Sequence, residues 1–220
     1  MGLVGSVLFS LYIGRPLVFM RPETFIMRPH RWLQAISSYR GTLAAAPNFA
    51  YDLCCQRITS KQKSRFDLSS WRVAFNGAER VRAETLRSFS RDFSGCGFRS
   101  SSFMPCYGLA EATLFVAGGT GTDRPATRRF QRAALDAGLA RPAGTGCELT
   151  ACGDSRGELQ VVIVDPQTRS PLPEGRIGEI WVAGDSVSAG YWRRPELSDE
   201  HFLIPESWGR DRLFLRTADL

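Results

Sequence analysis

Three short stretches combine residue types that could serve nucleotide chemistry. Tyr107-Gly108-Leu109-Ala110-Glu111 follows a strand-like apolar run and leads into a run with helical spacing. A glycine there lets backbone approach a ligand. A tyrosine at the C-terminal end of a parallel strand stands where α/β sheets bind nucleotides. A glutamate in the turn that follows can hold a cation bridging phosphates. The same pattern also suits an ordinary strand-to-helix junction with a capping acid. Asn76-Gly77-Ala78-Glu79 is a second strand-ending turn. Its small residues can press backbone against a flat base, or form a plain turn. In Arg216-Thr217-Ala218-Asp219-Leu220, an aspartate after a strand can accept two hydrogen bonds from a ribose diol. Taken alone, that last pattern has little specificity.

The elements that must position these residues alternate in the first half. Residues 3–13 read as a buried helix and 16–20 as a short buried strand. Pro29 can open a helix in which Trp32, Ile36 and Tyr39 recur at helical spacing. Residues 48–58 read as a helix with Phe49, Leu53 and Ile58 inward. Residues 71–75 and 103–106 read as strands. Residues 81–93 read as an amphipathic helix with Leu86, Phe89 and Phe93 on one face and Arg82, Arg87 and Arg91 on the other. Residues 109–117 read as a further helix. This alternation predicts a parallel α/β subdomain over 1–119. Residues 120–148 are rich in Gly, Thr, Ala and Arg, with one helical snippet at 132–137, and read as an insertion. Residues 149–220 turn strand-like, at 159–164 and 178–183, and predict a β-rich subdomain.

Composition narrows the function classes. The 220 residues are 43% hydrophobic and 23% charged, enough for a sizeable core. The net charge is +6, but the 28 basic residues are scattered among acids, and only Lys61 and Lys63 are lysines. No run of four basic residues and no nucleic-acid signature occurs, so the charge reads as a solvated surface, with no nucleic-acid partner. Six cysteines at 54, 55, 96, 106, 147 and 152 contain no C-x-x-C, and His30 and His201 flank none of them. Zinc spacing is absent. Free thiols in a reducing cytosol are the simplest account, which makes the protein cytoplasmic. The apolar run before Gly14 is too short for a transmembrane segment and lacks the basic flank of a signal peptide. Its abrupt start predicts that the natural domain extends before Met1.

In this order the motifs resemble the adenylate-forming superfamily, and within it the fatty acyl-AMP ligases. Ala46-Pro47-Asn48-Phe49-Ala50-Tyr51-Asp52-Leu53-Cys54, Phe75-Asn76-Gly77-Ala78-Glu79 and Pro105-Cys106-Tyr107-Gly108-Leu109-Ala110-Glu111-Ala112-Thr113-Leu114-Phe115-Val116 are each similar to ligase signatures. Gly175-Arg176-Ile177-Gly178-Glu179-Ile180-Trp181-Val182, Gly190-Tyr191-Trp192 and Arg216-Thr217-Ala218-Asp219-Leu220 are similar to motifs of the wider superfamily. The resemblance covers nearly the whole chain. It implies ATP-dependent activation of a fatty acid to acyl-adenylate, with release of pyrophosphate. Tyr107 and Gly108 would meet adenine, with Gly77, Ala78 and Glu79 on its other side. Glu111 would be the catalytic residue, holding Mg²⁺ between the phosphates, and Asp219 would bind the ribose hydroxyls. Asn48, Phe49 and Tyr51 would lie near the acyl group, although plain core packing suits the two aromatics nearly as well. Residues 120–148 would be the ligase-specific segment that turns the enzyme from coenzyme A toward an acyl carrier protein, often in a polyketide or peptide synthetase.

The departures from the pattern count as well. No Ser/Thr/Gly-rich phosphate loop and no family lid lysine lie within these residues, and Ala218 stands where the family usually has glycine. The resemblance therefore predicts the middle of a ligase, inactive by itself. Two alternatives stay open: a non-catalytic relic that retains the fold, and a fatty acyl-CoA synthetase.

Overall fold

The computed structural model describes residues 1–119, 125–155, 157–205, 208 and 212–220. The chain forms two compact units. One comprises Met1–Tyr107, Gly118–Thr127 and Leu149–Gly153; the other comprises Gly108–Ala117, Arg128–Glu148 and Asp154–Leu220.

The first unit is built on three parallel strands, β1 (Leu43–Ala46), β2 (Val73–Asn76) and β3 (Phe103–Tyr107). Ala46 stands opposite Asn76, and Asn76 opposite Pro105, so β1 and β2 end level while β3 runs on two residues to Tyr107. Parallel strands need crossovers, and here these contain helices. Helix α1 is His30–Ser38, α2 is Asn48–Arg57 and α3 is Ala83–Phe93. On α3, Leu86, Phe89 and Phe93 are buried while Arg87 and Arg91 are exposed, as their spacing predicts, and Arg82, exposed as well, stands just before the helix. The core is aromatic. Tyr51 lies 5.1 Å from Phe89, 5.0 Å from Phe103 and 5.5 Å from Trp32 between ring centroids.

Helix α2 is turned from its expected register. Ala50, Tyr51, Cys54 and Ile58 are buried, Leu53 is partly buried and Phe49 is 50% exposed. The Tyr51 hydroxyl donates to Phe75 O at 2.7 Å, which ties this face of the helix to β2. In α1, Leu33 and Ile36 are buried and Tyr39 points out. The N-terminal expectations also change. Gly2–Leu8 and Phe9–Tyr12 are helical but contain no buried residue, and residues 16–20 form no strand. A strand needs a hydrogen-bonded partner, and this run joins no ladder.

The second unit has an antiparallel sheet of β4 (Gln160–Val164), β5 (Glu179–Ala183), β6 (Phe202–Leu203) and β7 (Phe214–Arg216), in the order β6-β7-β5-β4. Val164, Trp181, Ala183 and Phe214 form its core, with Trp208 5.4 Å from Trp181. Gly178 is required where the chain enters β5, because a Cβ there would lie 2.5 Å from Val164 O. Of residues 120–148, residues 120–124 lie outside the described residues. The rest carries the expected short helix at Arg132–Asp136, and Thr127–Phe130 pairs with Cys147–Thr150 as a two-stranded ribbon. Among the described residues no helix is long and apolar enough to cross a membrane.

Candidate active site

In the first unit the candidate residues cluster where the parallel strands end. Asn48 follows β1, Gly77 follows β2, and Tyr107 closes β3. Asn48 is fully buried and acts as a bracket. Its Nδ2 donates to Arg80 O at 2.9 Å, and its Oδ1 accepts from Asn76 Nδ2 at 3.1 Å and from Arg82 N at 3.0 Å. Phe49 N donates to Glu79 Oε1 at 3.2 Å. The turn 76–82 is therefore held against the start of α2 from both sides. Gly77 is packed so closely on β3 that a Cβ would sit 2.8 Å from Cys106 Sγ and 2.9 Å from Cys106 O. Ala78, next along, has a left-handed φ of 67° and is exposed. Burial pushes the Cys106 thiol up to about 11, with Cys152 adding to the shift, so this sulfur is a neutral packing atom at neutral pH. Tyr107 is half-buried.

The second unit holds Gly108, Glu111 and Asp219. Here the sequence expectation of a helix over 109–117 is corrected. The chain makes one 3₁₀ turn, Ala110–Ala112, and then reverses. Thr113 adopts φ 65°, which ends any helix, and Gly108 packs so tightly on the returning chain that a Cβ would lie 1.8 Å from Leu114 O. Bonds to a distant loop replace the helical ones. Ser188 N donates to Glu111 O at 2.7 Å, and Thr113 Oγ1 donates to Ser186 O at 2.7 Å. Tyr191 Oη donates to Glu111 Oε1 at 2.9 Å. Tyr191 is itself fixed, since its N–H donates to Ser198 Oγ at 2.8 Å and its ring packs on Phe202. Burial, and then the hydrogen bond to the Glu111 carboxylate, raise the tyrosine pKa. With no helix following it, Glu111 is not a helix-capping acid.

Asp219 lies on an exposed turn just beyond β7. Ile180 N donates to Asp219 O at 2.9 Å, and Asp219 N donates to Thr217 Oγ1 at 3.1 Å. Beneath that turn lies a residue that sequence reading passed over. Glu179 is 3% exposed and accepts from Trp181 Nε1, Arg216 Nε and Nη2, and Ala218 N. A charged residue interrupting an apolar strand was the signal that could have found it, because a buried carboxylate needs partners.

No group of three or more His, Cys, Asp or Glu side chains among the described residues could cage a metal. Glu111 fits a different mode, in which Mg²⁺ takes one carboxylate plus the phosphates of its nucleotide.

A family model described as AMP-binding enzyme matches residues 1–192. The chain belongs to the AMP-binding enzyme family. A medium-chain-fatty-acid–[acyl-carrier-protein] ligase of Teredinibacter turnerae is 46% identical over all of this chain and 36% of its own length. A long-chain-fatty-acid–AMP ligase of Mycobacterium marinum is 37% identical over all of this chain and 39% of its own length. Among solved structures, a fatty acyl-adenylate ligase from L. pneumophila, in complex with acyl adenylate and pyrophosphate, matches all of this chain with a TM-score of 0.94 and 40% identity, over 39% of that protein. The chain thus spans 36–39% of the length of these relatives. The α/β fold expected from the sequence is the fold that this chain shares with the L. pneumophila ligase.

Proposed function

We propose that this chain is the nucleotide-handling part of a ligase that activates a fatty acid as its acyl-adenylate and passes the acyl group to an acyl carrier protein. The observation that carries this reading is the construction around Glu111. A lone carboxylate stands on a turn that is not a helix start, pinned by Ser188, Thr113 and Tyr191. That suits a group which must present charge to a nucleotide-bound cation at a set position. The names of the relatives support the fatty acid and the carrier protein as substrates.

In this reading Tyr107 and Gly108 face the adenine, with Gly77, Ala78 and Glu79 against its other side. Asp219 accepts from the ribose hydroxyls, and exposed Phe49 lies toward the acyl chain. Asn48 brackets the turn 76–82, and Tyr51 supports it from the core. The fatty acid's carboxylate oxygen attacks the α-phosphorus of ATP, the bond from that phosphorus to the bridging oxygen breaks, and pyrophosphate leaves. Mg²⁺ bound by Glu111 and the phosphates would offset the negative charge that gathers there. The work of the protein residues is to hold base, sugar and metal in line for that displacement. The carrier belongs to a polyketide or peptide synthetase, and the reaction runs in the cytoplasm.

The test uses a chimera in which this chain replaces its counterpart in the 46% identical Teredinibacter ligase. With ATP, Mg²⁺ and hydroxylamine it should trap fatty acyl hydroxamates across medium and long chains. Activation of amino acids in place of fatty acids would overturn the assignment.

A further inference from the structure

We infer that Glu179 is a positioning residue that sets where Asp219 stands, and through it how strongly the site demands a ribose. The inference rests on the proposed ribose role of Asp219 and goes beyond it to a residue that touches no nucleotide. Glu179 is 3% exposed, and both of its oxygens are engaged. Oε2 accepts from Trp181 Nε1 at 3.0 Å, Arg216 Nε at 3.3 Å and Arg216 Nη2 at 3.2 Å. Oε1 accepts from Ala218 N at 3.1 Å. The carboxylate thus binds the last residue of β7 with one oxygen and the residue before Asp219 with the other.

That second bond matters because Ala218 is in a left-handed conformation, with φ 60°, which an alanine does not adopt unaided. Around it, Thr217 N and Thr217 Oγ1 donate to Ile180 O at 3.2 and 2.7 Å, and Ile180 N donates to Asp219 O. The turn is a short lattice hung on β5, and Glu179 gives it a charged anchor. Arg216 neutralises the buried charge at 3.2 Å and lies over the Trp181 ring. A buried pair of this kind contributes little net stability in general, yet it specifies geometry where its donors fit. Here the geometry specified is the backbone two residues after Arg216.

Glutamine at 179 removes the charge and breaks one side of the clamp. It has one acceptor oxygen and one NH₂ group, and every partner of Glu179 is a donor. One side of the clamp must therefore face an N–H with an N–H. Ala218 either loses its bond or the Arg216 and Trp181 side is disrupted, and the turn shifts in both cases. Aspartate at 179 keeps the charge against Arg216 but pulls the carboxylate back by about one bond length of ~1.5 Å.

The experiment compares kcat/KM for ATP and for 2′-deoxy-ATP in the chimeric ligase, for wild type, Glu179→Gln, Glu179→Asp and Asp219→Asn, with thermal melting of each. Loss of a charged hydrogen bond corresponds to about a tenfold or larger preference for ATP in the wild type. Glu179→Gln should lower that preference at least about fivefold, toward the level of Asp219→Asn. A loss of fold alone lowers activity with both nucleotides and leaves the ratio in place. Where Glu179→Gln does not fold, Glu179→Asp decides by the same ratio. An unchanged ratio in the folded Glu179 variants, with the ratio collapsed in Asp219→Asn, overturns the positioning role and leaves the ribose reading standing. An unchanged ratio in Asp219→Asn overturns both and places the fault in the ribose reading.

Discussion

Replacing Tyr51 by phenylalanine separates two roles that its motif allows. The side chain is fully buried and touches Trp32, Phe89 and Phe103 at ring distances of 5.5, 5.1 and 5.0 Å. Phenylalanine keeps that packing and removes only the hydroxyl, which donates to Phe75 O at 2.7 Å. Loss of one buried hydrogen bond that leaves its acceptor in an apolar setting costs about 1–2 kcal/mol. With a urea dependence of about 3 kcal/mol per molar, the midpoint should fall by about 0.5 M at unchanged slope. Tyr51→Ala removes the ring as well and should cost about 3–5 kcal/mol. Tryptophan fluorescence of the 220-residue chain is the natural signal, since Trp32 and Trp71 flank the ring. In the chimeric ligase the KM for fatty acid should not move in Tyr51→Phe. An unchanged urea midpoint together with a raised fatty-acid KM would refute this reasoning and make Tyr51 an acyl contact.

Gly108→Ala forces a Cβ to 1.8 Å from Leu114 O, so the turn must open and carry Glu111 with it. Hydroxamate formation in the chimera should drop about 10²-fold or more, a loss similar to that expected for Glu111→Ala; near-normal turnover would show the turn to be dispensable. Ala218→Gly removes an exposed methyl from a left-handed residue, so stability should hold or rise by up to about 1 kcal/mol, read from thermal melting. A clear loss of stability would contradict the left-handed turn. Burial holds the Cys55 and Cys106 thiols at about 11, above the ordinary thiol value. Because these pKa values are raised, the stabilisation is complete below about pH 8.5 and is lost as pH climbs toward about 11. The urea midpoint should fall across that window, and less so in Cys106→Val; a flat profile would mean that these thiols are solvated.

Much of the first unit could be read without coordinates, because its signals are local. The i, i+3, i+7 series Leu86, Phe89 and Phe93 marks one face of α3, and the strands end at turns rich in Gly and Asn. The order of the motifs pointed to the AMP-binding family. What the sequence concealed depends on partners far along the chain. Whether Phe49 or Tyr51 faces inward turned on a hydroxyl bond to Phe75, 24 residues away. The run after Gly108 has helical spacing, yet the bonds that shape it come from residues 186–191, and local periodicity carries no trace of them. Glu111 and Tyr191 lie 80 residues apart, and Glu179 and Arg216 lie 37 apart. Residue types and spacing determined which groups could bind a nucleotide. Tertiary structure alone decided how each carboxylate is held, because a carboxylate taken from water is stable only where the fold delivers donors to it, and those donors arrive from other strands and loops.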